Sequence, residues 1–423
     1  MIPHQAADRV LAEVSAATDE IVALTGDLIR LPTVNPPGAG YRECARLIGA
    51  RLGVMGMDVA YVDDVGRPEH SERHPRVNVI GLLEGTQSRP CVHLSGHFDV
   101  VPPREDWTED PFGGLVRDGR IYGRGASDMK SGIAAAVIAV DAIRRAGVSL
   151  RGTVEISGTV DEESGGFAGV AYLCEQGHIA ADRTDYVIIP EPFGPDRICV
   201  GHRGVYWFYV IAHGYAAHGS MPHLGRSAID DMAELLMAMR AELDPVMAQR
   251  LSTMSIVPEA SGRPSLNVNA VSGGQAGELQ QSPCVADTCR ATFDRRFIPE
   301  ESLEDVRAEI AQIVSALEAK GNGCRFTIED RMIVHPTRTP EESPLVRALS
   351  SAVSAVRGSP PQLVGSPGTY DQKHVARIGG VVHCVAYGPC PLTEAHQPDE
   401  SCAIEDLVAS AQVMALTVLE LVG

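Results

Sequence analysis

The sequence has no apolar stretch approaching the ~20 residues needed to cross a bilayer, so it predicts no membrane span. Its N-terminus lacks a basic start, a continuous apolar core and a small-residue cleavage site, which are the marks of a secretory signal peptide. The ten cysteines form no CxxC pair. In a chain this long without an export signal, we expect reduced thiols that mostly fill the core. The expected location is therefore the cytoplasm.

Positive charge is also scarce. The chain has 36 Lys and Arg against 55 Asp and Glu, which gives a net charge of −19 and a pI near 5.1. This balance argues against nucleic acid or an anionic membrane as the main partner. Hydrophobic content of 44% over 423 residues is that of a globular protein with two or three domains.

The first half of the chain alternates strand-like and helix-like segments. Short, β-branched, apolar runs at 90–101, 152–160 and 186–190 are typical of buried, largely parallel strands. Between the first two lies an Ala-rich helix, which we expect Ser127 or Asp128 to cap and Gly147 to end. This pattern predicts an α/β fold with a mixed, mostly parallel sheet and flanking helices.

From about Val205 the order of predicted elements changes to βαββαβ, which is that of a ferredoxin-like module. After Pro336 the helix and strand signals return to those of the first part. We therefore expect a catalytic domain formed by 1–203 and 336–423, interrupted by an inserted α+β domain at 204–335.

Residues suited to metal chemistry occur at two points in the first α/β segment. In SGHFDVVP, His97 and Asp99 are two apart on a strand and project to one face, so Asp99 could fix the tautomer of a metal-binding His97. In GRGASDMKSG, Asp128 stands at the mouth of a helix, where a carboxylate could bridge two cations. Taken singly, each motif has a plainer explanation: His97 and Asp99 could form a surface ion pair, and Asp128 could be only a helix cap.

Three further motifs follow. TVDEESGG places Asp161, Glu162 and Glu163 at a strand exit, where crowded carboxylates need cations or protons to compensate them. A solvated acidic turn is the alternative interpretation. IIPEP and GPCPLTEAHQPDE contribute Glu191 and His396, each of which also fits a plain loop. The joint order of the five motifs is what favours a shared site over five separate explanations.

That order resembles the M20 metallopeptidase and amidohydrolase family, which includes acetylornithine deacetylases, desuccinylases, aminoacylases and glutamate carboxypeptidases. The resemblance covers nearly the whole chain. It implies the co-catalytic metallopeptidase fold with a lid domain, two divalent ions per subunit and Glu162 as the general base. It also implies that Asp99 orients His97 and that five residues bind metal: His97, Asp128, Glu163, Glu191 and His396.

The resemblance also implies roles for the inserted domain. YAAHGSMPHLGRSAID is similar to the family's lid segment, so His218 would reach the partner subunit's active site and polarise the scissile carbonyl. Asn267 and Arg296 would meet substrate, with Arg296 holding a carboxylate bidentately. In GSPGTYDQKHV, Gly368 and Thr369 fit the family's substrate loop, but Lys373 stands where many relatives have Arg.

The resemblance thus implies a homodimeric hydrolase of a small N-acyl amino acid or related amide, with Zn²⁺, Co²⁺ or Mn²⁺ as the metal. Two other activities stay open: cleavage of dipeptides or C-terminal residues, and removal of an amine from an aromatic acid. The second is motivated by Tyr370 and Lys373, because Tyr370 would add aromatic surface. A receptor-like binding protein that has lost the chemistry is the non-enzymatic alternative.

Overall fold

The computed structural model describes residues 4–274, 283–321 and 323–423. The helices are α1 His4–Ala16, α2 Thr18–Ile29, α3 Tyr41–Val54, α4 Lys130–Arg145, α5 Tyr172–Glu175, α6 Ala228–Met247, α7 Leu303–Glu318, α8 Pro344–Arg357, α9 Gln372–Arg377 and α10 Ile404–Val422. The strands are β1 Asp58–Asp63, β2 Val77–Leu83, β3 Cys91–His97, β4 Leu115–Arg117, β5 Arg120–Tyr122, β6 Thr153–Thr159, β7 Tyr186–Ile189, β8 Arg197–His202, β9 Gly204–His213, β10 Ser265–Gly273, β11 Thr288–Phe297, β12 Arg325–Val334, β13 Thr337–Arg338, β14 Gln362–Ser366, β15 Cys384–Ala386 and β16 Ser401–Ala403.

The chain divides into two compact units. The larger unit runs to Gly201 and continues with Thr339–Val364 and Tyr370–Gly423, and the smaller unit comprises His202–Arg338 and Gly365–Thr369. The return of Gly365–Thr369 to the smaller unit is a feature that the sequence did not indicate.

The larger unit is built on a mixed sheet in the order β1-β2-β6-β3-β7-β15-β8, with β14 beside β8. Strands β6, β3, β7 and β15 are mutually parallel along this order. All residues of β3 and β6 are buried because α4 and α10 pack against them. The predicted mixed α/β fold is confirmed. Since the parallel strands share a direction, the segments after β3, β6, β7 and β15 start at one edge of the sheet.

Helix α4 corrects one prediction from the sequence. Its N-cap is Met129 and no side chain caps it, so neither Ser127 nor Asp128 has the expected role. The Asp128 carboxylate instead faces two histidines. At the other end of the helix Gly147 has a positive φ of 67°, as expected for a glycine that ends a helix.

The smaller unit is an antiparallel four-stranded sheet in the order β10-β11-β9-β12, with α6 and α7 packed on it. This is the ferredoxin-like order expected from the βαββαβ pattern. Its core contains the stacked rings of Tyr206, Phe208 and Phe293. These strand aromatics therefore serve packing. Among the described residues, no helix combines the length and apolarity that a bilayer span requires.

Candidate metal centre

Five side chains from distant parts of the chain converge at the sheet edge of the larger unit. His97 ends β3, Glu163 and Glu191 follow β6 and β7, Asp128 precedes α4, and His396 lies in the loop after β15. Their nitrogen and oxygen atoms form two groups, each within 4.8 Å: His97, Asp128 and Glu191, and Asp128, Glu163 and His396. Asp128 belongs to both groups.

Asp128 stands between the two histidines. Its Oδ1 lies 3.1 Å from His97 Nε2 and its Oδ2 lies 3.3 Å from His396 Nε2. Glu191 Oε1 is 3.8 Å from His97 Nε2, and Glu163 Oε1 is 3.1 Å from His396 Nε2. The peptide bond from Asp128 to Met129 is cis. One oxygen of Asp128 therefore faces each group, which is the arrangement of a bridging carboxylate.

His97 presents a defined ring nitrogen to this cluster. Its Nδ1 donates to the backbone oxygen of Asp99 at 3.0 Å, and the Asp99 carboxylate lies at 3.4 Å. Because a carbonyl oxygen only accepts, Nδ1 carries a proton, and Nε2 is the ring nitrogen that faces Asp128 and Glu191. Asp99 thus fixes the ring through its backbone as well as through its side chain.

The charges at the centre require compensation by positive charge. Burial raises the pKa of Glu163 to about 7, with the charge of Asp128 adding to it. Burial and the same Asp128 charge raise the pKa of Glu191 well above its ordinary value. Hydrogen bonds to Asp128 and Glu163 raise the pKa of His396 to about 11. Imidazole nitrogens and carboxylate oxygens at these spacings suit divalent cations such as Zn²⁺, so the donor set fits a metal pair.

The Asp99 carboxylate is also the support of the Glu162–Glu163 turn, a role that the sequence did not reveal. It is fully buried and accepts the backbone N–H groups of Glu162 at 3.1 Å and Glu163 at 3.2 Å. Asn35 donates to its Oδ2 at 2.9 Å and also to Ser164 Oγ at 3.0 Å. Asn35 lies in the segment VNPPG. The polar residue directly before two prolines was the signal in the sequence that could have drawn attention to it.

Asp161 does not join the carboxylate cluster, although it is adjacent to Glu162 in sequence. Its buried side chain pairs with Arg76 Nε at 2.8 Å and accepts the Tyr41 hydroxyl at 2.8 Å. Its φ of 60° lies in the left-handed region, which non-glycine residues rarely adopt outside constrained sites. These contacts hold the residue that precedes Glu162, so Asp161, the first carboxylate of TVDEESGG, supports the turn.

Lys373 lies beside Glu162, the predicted base. Its Nζ is 3.3 Å from Glu162 Oε1 and 3.8 Å from Asp371 Oδ1. Tyr370 is almost fully buried and donates its hydroxyl to Gln372 Oε1 at 2.7 Å. The expectation that Tyr370 adds aromatic surface is therefore wrong, because packing inside the unit encloses its ring.

The remaining predicted residues belong to the smaller unit. His218 is exposed and its Nδ1 contacts Ser220 Oγ at 2.7 Å. Asn267 contacts Asn269 on the exposed strand β10. Gly368 donates its backbone N–H to Ser366 Oγ at 3.2 Å, and Thr369 ends the same short segment. The roles of these residues stay predictions.

Arg296 is held by a carboxylate of its own strand. Its Nε and Nη2 donate to the two oxygens of Asp294 at 2.7 and 3.0 Å. Arg295 is fully buried and paired with Glu301. Of the two neighbouring arginines, Arg296 is thus the one with exposed surface, but a substrate carboxylate would have to share it with Asp294.

Comparisons with known proteins identify the class. The sequence profile described as Peptidase family M20/M25/M40 matches residues 93–420, so the chain belongs to this family and is a hydrolase of the M20 type.

Similar proteins add detail to this assignment. A succinyl-diaminopimelate desuccinylase of Methylobacterium nodulans is 30% identical over 405 residues, which cover 92% of this chain and 93% of that one. The di-peptidase Dug1p of Saccharomyces cerevisiae has the same fold, with a TM-score of 0.73, 16% identity and 99% of both chains covered. The Bacillus subtilis YXEP protein, a dinuclear metal binding peptidase from the M20 family, aligns with a TM-score of 0.70 and 15% identity over 96% of this chain and 98% of that one.

Proposed function

We propose that the protein hydrolyses the amide bond of a small N-acyl amino acid or a related substrate that bears a carboxylate. The observation that carries this proposal is the position of Asp128, which faces His97 and His396 with separate oxygens. Glu191 is the third member of the group with His97, and Glu163 is the third member of the group with His396. The desuccinylase relative, which the chain covers almost completely, supports removal of an acyl group.

Two divalent cations would be held by His97, Asp128 and Glu191 and by Asp128, Glu163 and His396. Zn²⁺ suits this donor set, and Co²⁺ and Mn²⁺ are the other candidates. Such cations supply positive charge that polarises a carbonyl oxygen and lowers the pKa of water towards ~7.

Glu162 is the proposed general base. It would take the proton of the attacking water and pass it to the leaving nitrogen, which requires a carboxylate held in a fixed place. Asp99 supplies that constraint by accepting the Glu162 backbone N–H, and Lys373 contacts the Glu162 carboxylate at 3.3 Å. Lys373 would hold the base in position and would meet a substrate carboxylate only by moving from it.

His218 and a homodimer complete the proposal. The exposed His218 would reach the partner subunit's centre and stabilise the negative oxygen that develops on the carbonyl. The almost wholly exposed edge strand β10 of the smaller unit offers backbone groups for pairing between two copies. Arg296 and Asn267 would meet the substrate's carboxylate, with Gly368 and Thr369 beside it.

The test is a panel of substrates with a matched pair of variants. N-acetyl and N-succinyl amino acids, dipeptides and aryl amines are incubated with metal-loaded enzyme, and acyl, amino acid and ammonia release are measured. Glu162→Ala is expected to abolish turnover on the best substrate, whereas Glu175→Ala, which removes an exposed glutamate paired with Arg67, should leave it unchanged. Wild-type turnover by Glu162→Ala would contradict the mechanism.

The same panel separates the alternatives. Release of acyl groups alone supports the proposal, release of amino acids from dipeptides favours a peptidase, and ammonia release from aryl amines favours a deaminase. The burial of the Tyr370 ring removes one of the two residues that motivated the deaminase, and Lys373, which lies beside Glu162, is the other.

A further inference from the structure

Glu400 is a fully buried carboxylate without a role in the proposed chemistry. Its Oε1 accepts three backbone N–H groups, from Gly125 at 3.1 Å, Ser127 at 2.7 Å and Asp128 at 2.9 Å. Its Oε2 pairs with Arg124 Nη1 at 2.6 Å. Both oxygens are therefore engaged by one short segment, 124–128, which ends at the shared candidate ligand.

The segment 124–128 depends on these contacts. Buried N–H groups left without an acceptor cost about 1–3 kcal/mol each, and charged acceptors form the stronger hydrogen bonds. No side chain caps the helix that follows, so helix capping does not hold Asp128 in place. Glu400 is thus the acceptor that fixes the backbone from which the Asp128 carboxylate extends.

Glu400 also belongs to the loop that carries His396. Its backbone oxygen accepts the Gly123 N–H at 2.9 Å, and Arg124 Nη1 lies 3.4 Å from the Gln397 oxygen. The Arg124 guanidinium also packs over the Trp107 ring, with its Cζ 5.0 Å from the ring centroid, and this cation–π contact helps to hold the guanidinium in place. The loop that provides one ligand is therefore tied to the segment that provides the shared ligand.

We infer that Glu400 is a positioning residue that sets the spacing between Asp128 and His396, and thereby the affinity of the centre for divalent metal. Glu400 acts through Asp128 and touches no reacting atom. The inference rests on the proposed function, because that function supplies the metal pair.

The experiment measures metal binding directly. Chelator-treated protein is titrated with Co²⁺, bound ions are counted by equilibrium dialysis, and the visible absorption reports the ligand geometry. In Glu400→Gln, an amide oxygen can still face the three N–H groups, but the NH₂ group opposes Arg124. Residues that support metal ligands typically change metal affinity by about 10–100-fold, and we expect a loss in this range together with an altered Co²⁺ spectrum.

Glu301→Gln is the matched control. The Glu301 side chain is 6% exposed, and it accepts hydrogen bonds from Arg295, Arg250 and the Ile298 N–H, so Glu301→Gln removes the same charge and similar hydrogen bonds. None of these three partners is a candidate metal ligand. Both variants should melt at lower temperature in chelator, but only Glu400→Gln should lose part of the rise in melting temperature that Co²⁺ produces.

The outcomes are distinct. Wild-type Co²⁺ affinity and spectrum in a folded Glu400→Gln variant would overturn the inference and leave the proposed function intact. A wild-type protein that binds no Co²⁺, Zn²⁺ or Mn²⁺ would instead remove the proposed function. If Glu400→Gln does not fold, Glu400→Asp replaces it. This variant keeps the negative charge but shortens the side chain by one methylene group, which withdraws the acceptor from the three backbone N–H groups. An unchanged Co²⁺ affinity in Glu400→Asp would again refute the positioning role.

Discussion

Replacing Asp99 by Asn is the sharpest test of how the centre is held together. The two oxygens of Asp99 accept from opposite sides: Oδ1 faces the Glu162 N–H, and Oδ2 faces the Glu163 N–H and Asn35. An asparagine has one oxygen and one NH₂ group. Whichever way it turns, its NH₂ group meets a backbone N–H, so at least one buried donor loses its partner.

The expected loss of stability follows from the number of donors left without an acceptor. One or two unsatisfied donors at about 1–3 kcal/mol each predict that Asp99→Asn lowers the free energy of unfolding by roughly 1–6 kcal/mol. Because the displaced groups belong to Glu162 and Glu163, metal affinity and kcat should each fall by about 10–100-fold. Urea unfolding of the chelator-treated protein measures the first effect, and Co²⁺ titration and substrate turnover measure the others.

Asp185→Asn is the control for this experiment, since Asp185 accepts the backbone N–H of Cys91 at 2.8 Å at the opposite end of β3. Its side chain is more exposed, so we expect a smaller loss of stability and unchanged metal affinity. The reasoning would be refuted if Asp99→Asn unfolded at the wild-type urea concentration and bound Co²⁺ as tightly as the wild type.

Three further results are expected. Mixing inactive Glu162→Ala and His218→Ala subunits should restore about one quarter of wild-type activity if His218 acts across a two-fold dimer, whereas no recovery would place His218 in its own subunit's site. Removing metal with a chelator should lower the melting temperature, because a ligand at 100 times its Kd stabilises the folded state by about 2.7 kcal/mol, and an unchanged melting temperature would speak against a bound metal. Burial and the charge of Lys373 lower the pKa of His374 from 6.5 to about 4. Between these two pH values His374 is protonated in the unfolded chain but neutral in the folded one. Stability should therefore fall as the pH drops from about 6.5 to about 4, and urea titrations should show a shallower fall in His374→Gln.

Some features were predictable because they depend on local pattern. The buried strands β3, β6 and β7 follow from β-branched apolar runs, and the ferredoxin-like order of the smaller unit follows from the sequence of its elements. Parallel strands then bring the residues at their carboxyl ends to one edge. His97, Glu163 and Glu191 could be expected to lie near one another for that reason.

Other features, such as the partner of a charged side chain or the burial of an aromatic ring, depend on contacts with residues that are distant in sequence. Asp161 and Glu162 are neighbours of the same charge type, yet one is anchored by Arg76 and Tyr41 while the other stands beside Lys373. Tyr370 lies in a polar segment that suggests exposure, but packing buries it. Local composition does not distinguish these cases, because the partners come from segments far away in the chain.

The sequence by itself determined the kinds of candidate ligand, their order and the strands that carry them, since residue type and periodicity are local properties. Only the tertiary structure decided how they are supported: that Asp99 holds the Glu162–Glu163 turn, and that Glu400 holds the segment before Asp128. Buried N–H groups need acceptors, and which carboxylate supplies them depends on where loops 63 and 272 residues apart in sequence come to lie.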